Sequence, residues 1–508
     1  MRFLHDLLEK QCKVEATRPA LTAGGVTWSY GELRSRSVNL AERLSGFGVA
    51  RGDRVVIHAP NGPGTVAALF ACSYAGAVAV VLNPRVRPFH LDHIAADCAP
   101  ALALVAPELT GAHTGTGVRT VVLEADLWEA GPAPAAAPPA PGDRPGGHRL
   151  DGDRSEGDLA CLIYTSGSTG MPKAVMSPHR QMAFAIDAIG QVLGYAADDT
   201  VFSCTPLSFD YGLYQVFLSL AAGAHLVLDG DASAGPALLR RLEETGATVF
   251  PLVPALAATL VRLAARAGAH RLKLRLVTNT GAALGESHIS SLRAAVPGLR
   301  VAPMYGLTEC KRVSILEPGN PEDLDARPGS VGRPLPGTSC AVVDEEGRVL
   351  PPGSAGELVV SGPHVMPGYW NAPELTAIRF RPGPDGGHAL YTGDQCRMDE
   401  DGYIYFLGRD DDVYKRKGFR VSTMEIEQAA LDISGVDQAA ALSPVGDGPA
   451  CLFVSGEVNV PEILAGLRDR LEPHKIPEVC EVLETLPLTP HGKIDKAALG
   501  SLTSAGTR

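Results

Sequence analysis

Short apolar runs of strand length alternate with helical patterns along most of the chain, and this order limits the folds open to it. Near the N-terminus the pattern predicts a helix at Leu33–Leu44 and a strand at Arg54–His58. After residue 158 it predicts strands at Leu159–Tyr164, His225–Leu228, Leu274–Val277 and Val301–Tyr305, and helices at Met182–Leu193, Ala237–Glu244 and Glu286–Ala295. Such alternation is typical of α/β layers on mainly parallel sheets. Its two blocks predict two α/β subdomains.

The pattern changes past residue 356. Gly356–Ser361 and a hairpin turning at Asp401-Gly402 predict antiparallel strands, which we assign to a small β-barrel-like subdomain. With 508 residues the chain is too long for one core. We therefore predict a large N-terminal domain at 1–409 and a small, mobile α+β C-terminal domain at 410–508, with a hinge near Asp411. Residues 131–158 are rich in Pro, Gly and charge, and are predicted to be a mobile connection.

Composition excludes several classes of partner. The 45 Lys and Arg against 57 Asp and Glu give a formal charge of −12, which disfavours a general affinity for nucleic acid or anionic membranes. The N-terminus is charged from its first residues, no stretch approaches about 20 apolar residues, and the ten cysteines have no metal or redox spacing. We expect a cytoplasmic protein without nucleic-acid or membrane partners.

The most specific motif is the string YTSGSTGMPK, which runs from Tyr164 to Lys173 directly after a predicted buried strand. Its glycines let backbone N–H groups converge on an anion, its hydroxyls add donors and its lysine supplies charge. The loop residues are Thr165, Ser166, Gly167, Ser168, Thr169 and Gly170. It is not the P-loop of ordinary NTPases, which ends in Gly-Lys-Ser/Thr, and we predict that it grips phosphate.

The whole string resembles the signature loop of the adenylate-forming superfamily, which comprises acyl-CoA synthetases, adenylation domains and luciferases. The chain has Lys173-Ala174 where the family pattern continues Lys-Gly, a departure that would stiffen the end of the loop. Further matches follow in the family order. They are MYGLTE at 304–309, GEL at 356–358 with GY at 368–369, YTGD at 391–394, GRDD at 408–411, Lys415, Gly418, Arg420, EIE at 425–427 and PHGK at 490–493.

The resemblance implies that a carboxylate attacks the α-phosphate of ATP and that pyrophosphate leaves. Residues from Ser166 to Lys173 would then hold the leaving phosphates, and Thr308 and Glu309 would lie by the α-phosphate, with Glu309 helping to bind Mg²⁺. Lys493 would bridge the substrate carboxylate and the α-phosphate. The nucleoside would be bound by Tyr305 and the Gly281-Ala282 turn at the adenine, Asp394 at the ribose hydroxyls, and Arg409 and Arg420 near the ribose and phosphate.

The family also implies a second half-reaction. Its small domain turns about a hinge after adenylation, which withdraws the lysine and admits a thiol. Asp411 matches that hinge. The thiol would belong to the phosphopantetheine of a carrier protein or to free CoA, and the sequence leaves both open.

Asp210 opens a predicted helix where amino-acid-activating members place an aspartate against the substrate ammonium. A helix cap is the alternative role. The other acyl-pocket positions carried over from the family are Tyr211, Tyr214, Thr278, Thr280, Met304, Arg312 and Val313. The Arg312 guanidinium would suit a second substrate carboxylate, or would pair with Asp210 and leave the pocket neutral.

The Asp210 and Lys311-Arg312 combination is similar to enzymes that load β-amino acids in macrolactam biosynthesis. The favoured function is ATP-dependent activation of an amino acid, β-amino or aspartate-like, and its transfer to a carrier-protein thiol. The alternative is a CoA ligase for a non-amino aliphatic, aryl or terpenoid acid. An inactive copy with a binding role is disfavoured, since Lys173, Glu309, Asp394 and Lys493 are all present.

Overall fold

A computed structural model describes residues 1–129, 154–166, 171–230, 235–269, 271–318, 321–409, 413–416, 419–444, 448–489 and 493–505. Its α-helices are α1 Asp6–Glu15, α2 Tyr30–Gly46, α3 Pro63–Ala75, α4 Pro88–Cys98, α5 His179–Leu193, α6 Asp210–Ala222, α7 Leu238–Thr245, α8 Pro254–Ala267, α9 Glu286–Ala295, α10 Pro321–Ala326, α11 Pro373–Arg379, α12 Thr423–Leu431, α13 Val460–Arg468 and α14 Lys496–Ala505.

The strands of the first half are β1 Pro19–Ala23, β2 Val26–Ser29, β3 Arg54–His58, β4 Val78–Leu82, β5 Leu102–Val105, β6 Thr120–Val122, β7 Leu159–Ser166, β8 Pro172–Pro178, β9 Thr200–Ser203, β10 His225–Leu228, β11 Val249–Leu252 and β12 Leu276–Asn279. Those of the second half are β13 Arg300–Tyr305, β14 Ser314–Ile315, β15 Arg333–Pro334, β16 Ser339–Val343, β17 Ala355–Ser361, β18 Phe380–Pro382, β19 His388–Met398, β20 Ile404–Arg409, β21 Val413–Arg416, β22 Phe419–Ser422, β23 Val436–Leu442, β24 Cys451–Gly456 and β25 Val479–Val482.

The chain divides into two compact units. Unit 1 comprises residues 1–233, 307–311 and 362–381. It contains the sheet β6-β5-β3-β4-β7-β8, parallel except for the antiparallel pair β7 and β8, and the run β9-β10-β1-β2, in which β2 is antiparallel. The strand β3 reads RVVIH and is buried over its last four residues, as parallel strands covered on both faces require.

Unit 2 comprises residues 234–306, 312–361 and 382–508. Its strands β11, β12 and β13 are parallel, and β14 and β15 continue the sheet in antiparallel fashion. The strands β16, β17, β19 and β20 form an antiparallel sheet. The C-terminal residues add the hairpin β21-β22 and the sheet β23-β24-β25, whose apolar faces pack with α12 and α13 around residues such as Ile426, Leu452 and Ile463.

Local sequence explains where the elements begin. Ser29 and Glu32 form a capping box at α2, in which the Ser29 hydroxyl accepts from the Glu32 N–H and the Glu32 carboxylate accepts from the Ser29 N–H. The helix α6 starts at Asp210 after Phe209 and ends at Gly223 in a left-handed conformation, which glycine adopts without strain. Residues at its start are thereby fixed near the protein interior, where Asp210 is 5% exposed.

The α/β prediction is confirmed, and every strand and helix predicted above has a counterpart displaced by a few residues at most. The hairpin turns at Asp401-Gly402 as predicted, with Gly402 at φ 81°. The β-barrel-like subdomain corresponds to the sheet β16-β17-β19-β20, in which the pairings among the described residues do not close a barrel.

The predicted domain boundary at 409/410 and Asp411 fall at residues 410–412, outside the described residues, and remain predictions. Residues 130–153 of the predicted mobile connection also lie outside them. Its last five residues are described: Arg154 donates to the carbonyl of Tyr74, and Asp158 pairs with Arg51 at 2.8 Å.

None of the helices in the described part of the chain combines the length and the apolar character needed to cross a bilayer. Seven of the ten cysteines are buried, as is common for this small and weakly polar side chain.

Candidate active site

The phosphate-gripping motif spans the β7-β8 hairpin of unit 1. Thr165, at the end of β7, pairs in register with Lys173 near the start of β8. Gly167, Ser168, Thr169 and Gly170 lie outside the described residues, as does the side chain of Ser166. The hairpin therefore fixes the two ends of the predicted loop, and the loop itself remains a prediction.

Lys173 lies in a group of three interacting side chains in unit 1. Its ammonium nitrogen is 2.9 Å from the Tyr369 phenol oxygen and 3.5 Å from Glu309 Oε1, and the Tyr369 hydroxyl donates to Glu309 Oε1 at 2.6 Å. Thr308, next to Glu309, is half-buried. The structure thus brings together Lys173 and Glu309, which the sequence assigned to the phosphates, and adds a residue that the sequence analysis named only as part of a motif.

The donors fit a magnesium ion that carries nucleotide phosphates. Glu309 supplies a hard carboxylate oxygen, and the described residues hold no group of three or more side chains able to cage a metal without further ligands. Mg²⁺ is typically bound through one or two carboxylates, with phosphate oxygens and water completing its shell. Glu309 is the residue that would hold it.

In unit 2 two of the nucleoside-binding residues predicted from the sequence, Tyr305 and Arg409, contact a third, Asp394. Its carboxylate, on β19, accepts from the Tyr305 hydroxyl at 2.5 Å and pairs with Arg409 Nε at 3.2 Å. Asp394 is opposite Arg409 in the β19-β20 register, and the Tyr305 ring stacks on Phe406 with centroids 5.5 Å apart. Asp394 is 2% exposed. Each oxygen of the buried Asp394 carboxylate therefore lies beside a donor, Oδ2 beside the Tyr305 hydroxyl and Oδ1 beside Arg409 Nε.

The Gly281-Ala282 turn follows β12 and lies beside Lys493 in the same unit. Gly281 has φ +88°, and a Cβ built on it would stand 3.2 Å from Lys493 Cε. The Thr489 N–H donates to the Lys493 carbonyl at 2.6 Å. The pKa of the Lys493 ammonium is lowered because burial removes water from it and the charge of Arg409 repels its charge, against an opposing effect of Asp394.

Asp210 forms a buried ion pair in unit 1 with Lys311. Lys311 Nζ lies 3.2 Å from Asp210 Oδ1 and donates to Ser177 Oγ at 3.0 Å, and its side chain is fully buried. Asp210 is the first helical residue and Phe209 holds the cap position. Tyr211 and Tyr214, which follow Asp210 in α6, are also buried.

The backbone at Lys311 is left-handed, with φ +65°, which is uncommon and strained for a long side chain. Burial raises the pKa of the neighbouring Cys161 thiol to about 12, so this thiol stays protonated and adds no charge beside the ion pair. Sequence analysis paired Asp210 with Arg312 as one option, and the structure shows that Lys311 is the cation in contact. Spacing along the chain did not reveal the contact between Lys311 and Asp210, because it depends on a backbone conformation that lysine seldom adopts.

The remaining acyl-pocket residues predicted from sequence lie in unit 2 and are buried. They are Thr278, Thr280, Met304, Arg312 and Val313. Arg312 donates to Thr280 Oγ1 at 2.9 Å, and the Val313 N–H donates to the Tyr305 carbonyl. The second hydrogen bond connects the predicted acyl-pocket residues of unit 2 to Tyr305, the residue predicted to contact adenine.

Three other residues singled out from the sequence remain predictions. Arg420 lies on β22 opposite Lys415 of β21, and both side chains are outside the described residues. Gly418 and Asp411 are also outside them.

Known proteins resemble this chain over most of its length. Phosphinothricin tripeptide synthetase PhsC from Streptomyces viridochromogenes is 33% identical over 512 residues, which cover 98% of this chain and 45% of PhsC. The chain therefore spans less than half the length of that relative. Feruloyl-CoA synthase from an Amycolatopsis species is 31% identical over 96% of each chain.

Solved structures show the same likeness. The crystal structure of VinN is 42% identical, with a TM-score of 0.70, and covers 80% of this chain and 98% of VinN. VinN in complex with L-aspartate is 40% identical, with a TM-score of 0.69 and the same coverage. A sequence profile of the family described as AMP-binding enzyme matches residues 8–370. The chain therefore belongs to the AMP-binding enzyme family, the adenylate-forming ligases that its motifs resemble.

Proposed function

We propose that this chain activates an amino acid with ATP and passes it to a thiol. In the first step a carboxylate oxygen of the acid bonds to the α-phosphorus of ATP, and the bond to pyrophosphate breaks. In the second step a thiolate bonds to the acyl carbon and AMP leaves. The favoured acid is β-amino or aspartate-like, and the favoured thiol is the phosphopantetheine of a carrier protein.

Lys173 and Glu309 are assigned to the triphosphate. The transition state gathers negative charge from two anions, so fixed cations are the main requirement. Lys173 would bind phosphate oxygens through its ammonium, and Glu309 would hold Mg²⁺. When bound, Mg²⁺ neutralises phosphate charge as pyrophosphate leaves.

Asp394 and Lys493 are assigned to the ribose and to the reacting groups. The Asp394 carboxylate is held by Tyr305 and Arg409, so it is oriented before a diol arrives. Lys493, with its lowered pKa, would donate to the substrate carboxylate and to an α-phosphate oxygen. An ammonium here reduces the repulsion between the two anions that must meet.

The observation that carries the choice of acid is the buried Asp210–Lys311 pair. A buried carboxylate needs a cationic partner, and a substrate ammonium would replace or share that partner. Lys311 would then turn to a carboxylate of the same substrate, so an aspartate-like acid would satisfy both members. The 42% identity to VinN, and the VinN complex with L-aspartate, support this choice. Arg312, which donates to Thr280 in unit 2, is the second candidate for binding a substrate carboxylate.

A CoA ligase for a non-amino acid is the second candidate. The match to feruloyl-CoA synthase favours it, because that relative is covered over 96% of its length. Under this reading the pair of Asp210 and Lys311 would be a neutral wall of the acyl pocket and the thiol would be CoA.

ATP–pyrophosphate exchange against α-amino, β-amino, dicarboxylic and aryl acids tests the proposal. Exchange with aspartate-like or β-amino acids is the expected result. Exchange with aryl acids alone would reject the amino-acid assignment and favour CoA. The acceptor is then tested by mass spectrometry of thioester formed on CoA or on a phosphopantetheinylated carrier protein.

Asp210→Asn sharpens this test, because it removes the carboxylate charge with little change of volume. An amino-acid enzyme should lose exchange with its acid, whereas a ligase for plain acids should retain it. Since Asp210 is also the partner of buried Lys311, the double variant Asp210→Asn/Lys311→Met is the matched control. It removes both charges and leaves none unpaired.

A further inference from the structure

Tyr369 stands between the two charged side chains assigned to the phosphates. Its hydroxyl has a single proton, which it donates to Glu309 at 2.6 Å, and its oxygen accepts from Lys173 at 2.9 Å. Lys173 also lies 4.2 Å from the centre of the Tyr369 ring. The phenol therefore donates to Glu309 and accepts from Lys173 at the same time. Tyr369 is 3% exposed.

The segment that carries Tyr369 is fixed to the segments that carry both partners. Tyr369 forms a β-bridge with Val175 of β8, and the Trp370 N–H donates to the Ala174 carbonyl, next to Lys173. The Met366 N–H donates to the Glu309 carbonyl at 2.9 Å. The hydroxyl position is thus set by backbone hydrogen bonds.

The neighbouring glycine lets this segment pack closely against Thr376. Gly368 has φ +142°, and a Cβ built there would stand 2.3 Å from Thr376 Cγ2. Thr376 Oγ1 in turn accepts from the Tyr369 N–H at 3.0 Å, and the Phe380 ring packs edge-on against the Tyr369 ring. A side chain held in this way is pre-organised and costs little entropy when a ligand arrives.

We propose that Tyr369 is a positioning residue of the phosphate site, which makes nucleotide binding depend on the metal through Glu309. This inference rests on the proposed function. Before the nucleotide arrives, Lys173 and Glu309 neutralise each other around the phenol. With a Mg²⁺-bound triphosphate present, Lys173 would bind phosphate oxygens instead of Glu309, and Glu309 would hold the metal. The hydroxyl keeps its bond to Glu309 throughout, so the carboxylate never loses its orientation.

Without the hydroxyl, Lys173 and Glu309 are free to close from 3.5 Å into direct contact. The metal would then compete with a shorter ion pair for a carboxylate that has lost one donor. A metal-free triphosphate must still draw Lys173 away from Glu309 but does not need the Glu309 carboxylate, so its affinity should fall less. Loss of the hydroxyl should therefore reduce the difference between the affinity for ATP with Mg²⁺ and the affinity for ATP without it.

The test is calorimetric titration of the full chain with ATP, once with Mg²⁺ and once with EDTA, in the absence of any acid. In Tyr369→Phe the Kd for ATP with Mg²⁺ should rise about tenfold, the effect of one hydrogen bond to a charged group. The Kd in EDTA should change less than twofold. Glu309→Gln should reduce the Mg²⁺ enhancement at least as much, and adding Tyr369→Phe to it should reduce the enhancement no further.

Tyr74→Phe is the matched control. The Tyr74 hydroxyl also donates to a carboxylate that carries a cation, since Glu9 accepts from Tyr74 at 2.8 Å and from Arg34 Nε at 2.8 Å. It should lower the melting temperature about as much as Tyr369→Phe and leave both ATP affinities unchanged.

Three results would overturn the positioning role. The first is an equal rise of both Kd values in Tyr369→Phe, and the second is no change in either Kd. The third is a full Mg²⁺ enhancement in Glu309→Gln. The Glu309→Gln measurement still tests the proposal if Tyr369→Phe does not fold. A wild-type chain that binds no ATP under either condition would instead reject the proposed function itself.

Discussion

Removing the cation of the buried pair gives the sharpest test of the site in unit 1. At 3.2 Å and an effective dielectric constant of about 20, the attraction between Lys311 and Asp210 is about 5 kcal/mol. Their desolvation offsets much of this in the pair, but a single replacement leaves the other charge buried alone. Breaking such pairs costs about 3–5 kcal/mol. We therefore expect Lys311→Met to lower the melting temperature by about 5 °C.

The assay is a thermal melt of four proteins: wild type, Asp210→Asn, Lys311→Met and the double variant. Each single variant should be strongly destabilised, and the double variant should recover most of the loss because it buries no charge. The singles should also differ in their response to ligand. An amino acid that fits the pocket should stabilise Lys311→Met, since its ammonium supplies the missing cation to Asp210.

Additive losses would refute this reasoning. If the double variant were destabilised by the sum of the two single effects, Asp210 and Lys311 would not be energetically coupled. A shift below about 2 °C in each single variant would show that water reaches the pair. Ser177→Ala, which removes only the hydroxyl that accepts from Lys311 at 3.0 Å, should cost less than either charge removal.

Three further predictions concern the other parts of the molecule. Gly281→Ala places a Cβ at φ +88° and 3.2 Å from Lys493 Cε, so pyrophosphate exchange should fall about tenfold; exchange at the wild-type rate would show that Lys493 is not constrained by this turn. Tyr305→Phe removes a 2.5 Å hydrogen bond to Asp394 and should raise the KM for ATP about tenfold with a smaller change in kcat, as steady-state kinetics would show; an unchanged KM would place the ribose elsewhere. Burial lowers the pKa of His58 to about 4, below about 6.5 in the unfolded chain, so between these values the unfolded chain binds a proton that the folded chain does not, and about 3 kcal/mol of stability is lost as the pH falls from 6.5 to 4. His58→Leu should therefore show a shallower loss of melting temperature between pH 6.5 and 4.5, and parallel curves would contradict the assignment.

The fold and the family could be predicted from the sequence because their signals are local. The strand at Arg54–His58 and the helix at Glu286–Ala295 were predicted with the bounds that the structure has, since apolar periodicity and flanking turn residues decide such elements. The family followed from ordered short motifs, and its assignment is confirmed. The start of α6 at Asp210 was predicted as well, and the structure excludes the cap position for it, because Phe209 holds that position.

The contacts within the site could not be predicted, because they join residues far apart in sequence. Tyr369 and Lys173 are separated by 196 positions, and Tyr369 and Glu309 by 60. Lys311 reaches Asp210 through a left-handed backbone conformation that lysine seldom adopts. Neither composition nor spacing encodes these pairings.

The conformation at position 311 also limits how this pocket can change. With φ +65°, the backbone at this position accepts glycine without strain and Asn, Asp or His at modest cost, whereas β-branched residues would be strained. A mutational route from a charged pocket to an aliphatic one is therefore not a single Lys311→Val step; it would require remodelling of the turn as well. Libraries that aim to alter acid selectivity should sample Gly, Asn and His at this position first and randomise the turn before they introduce branched side chains.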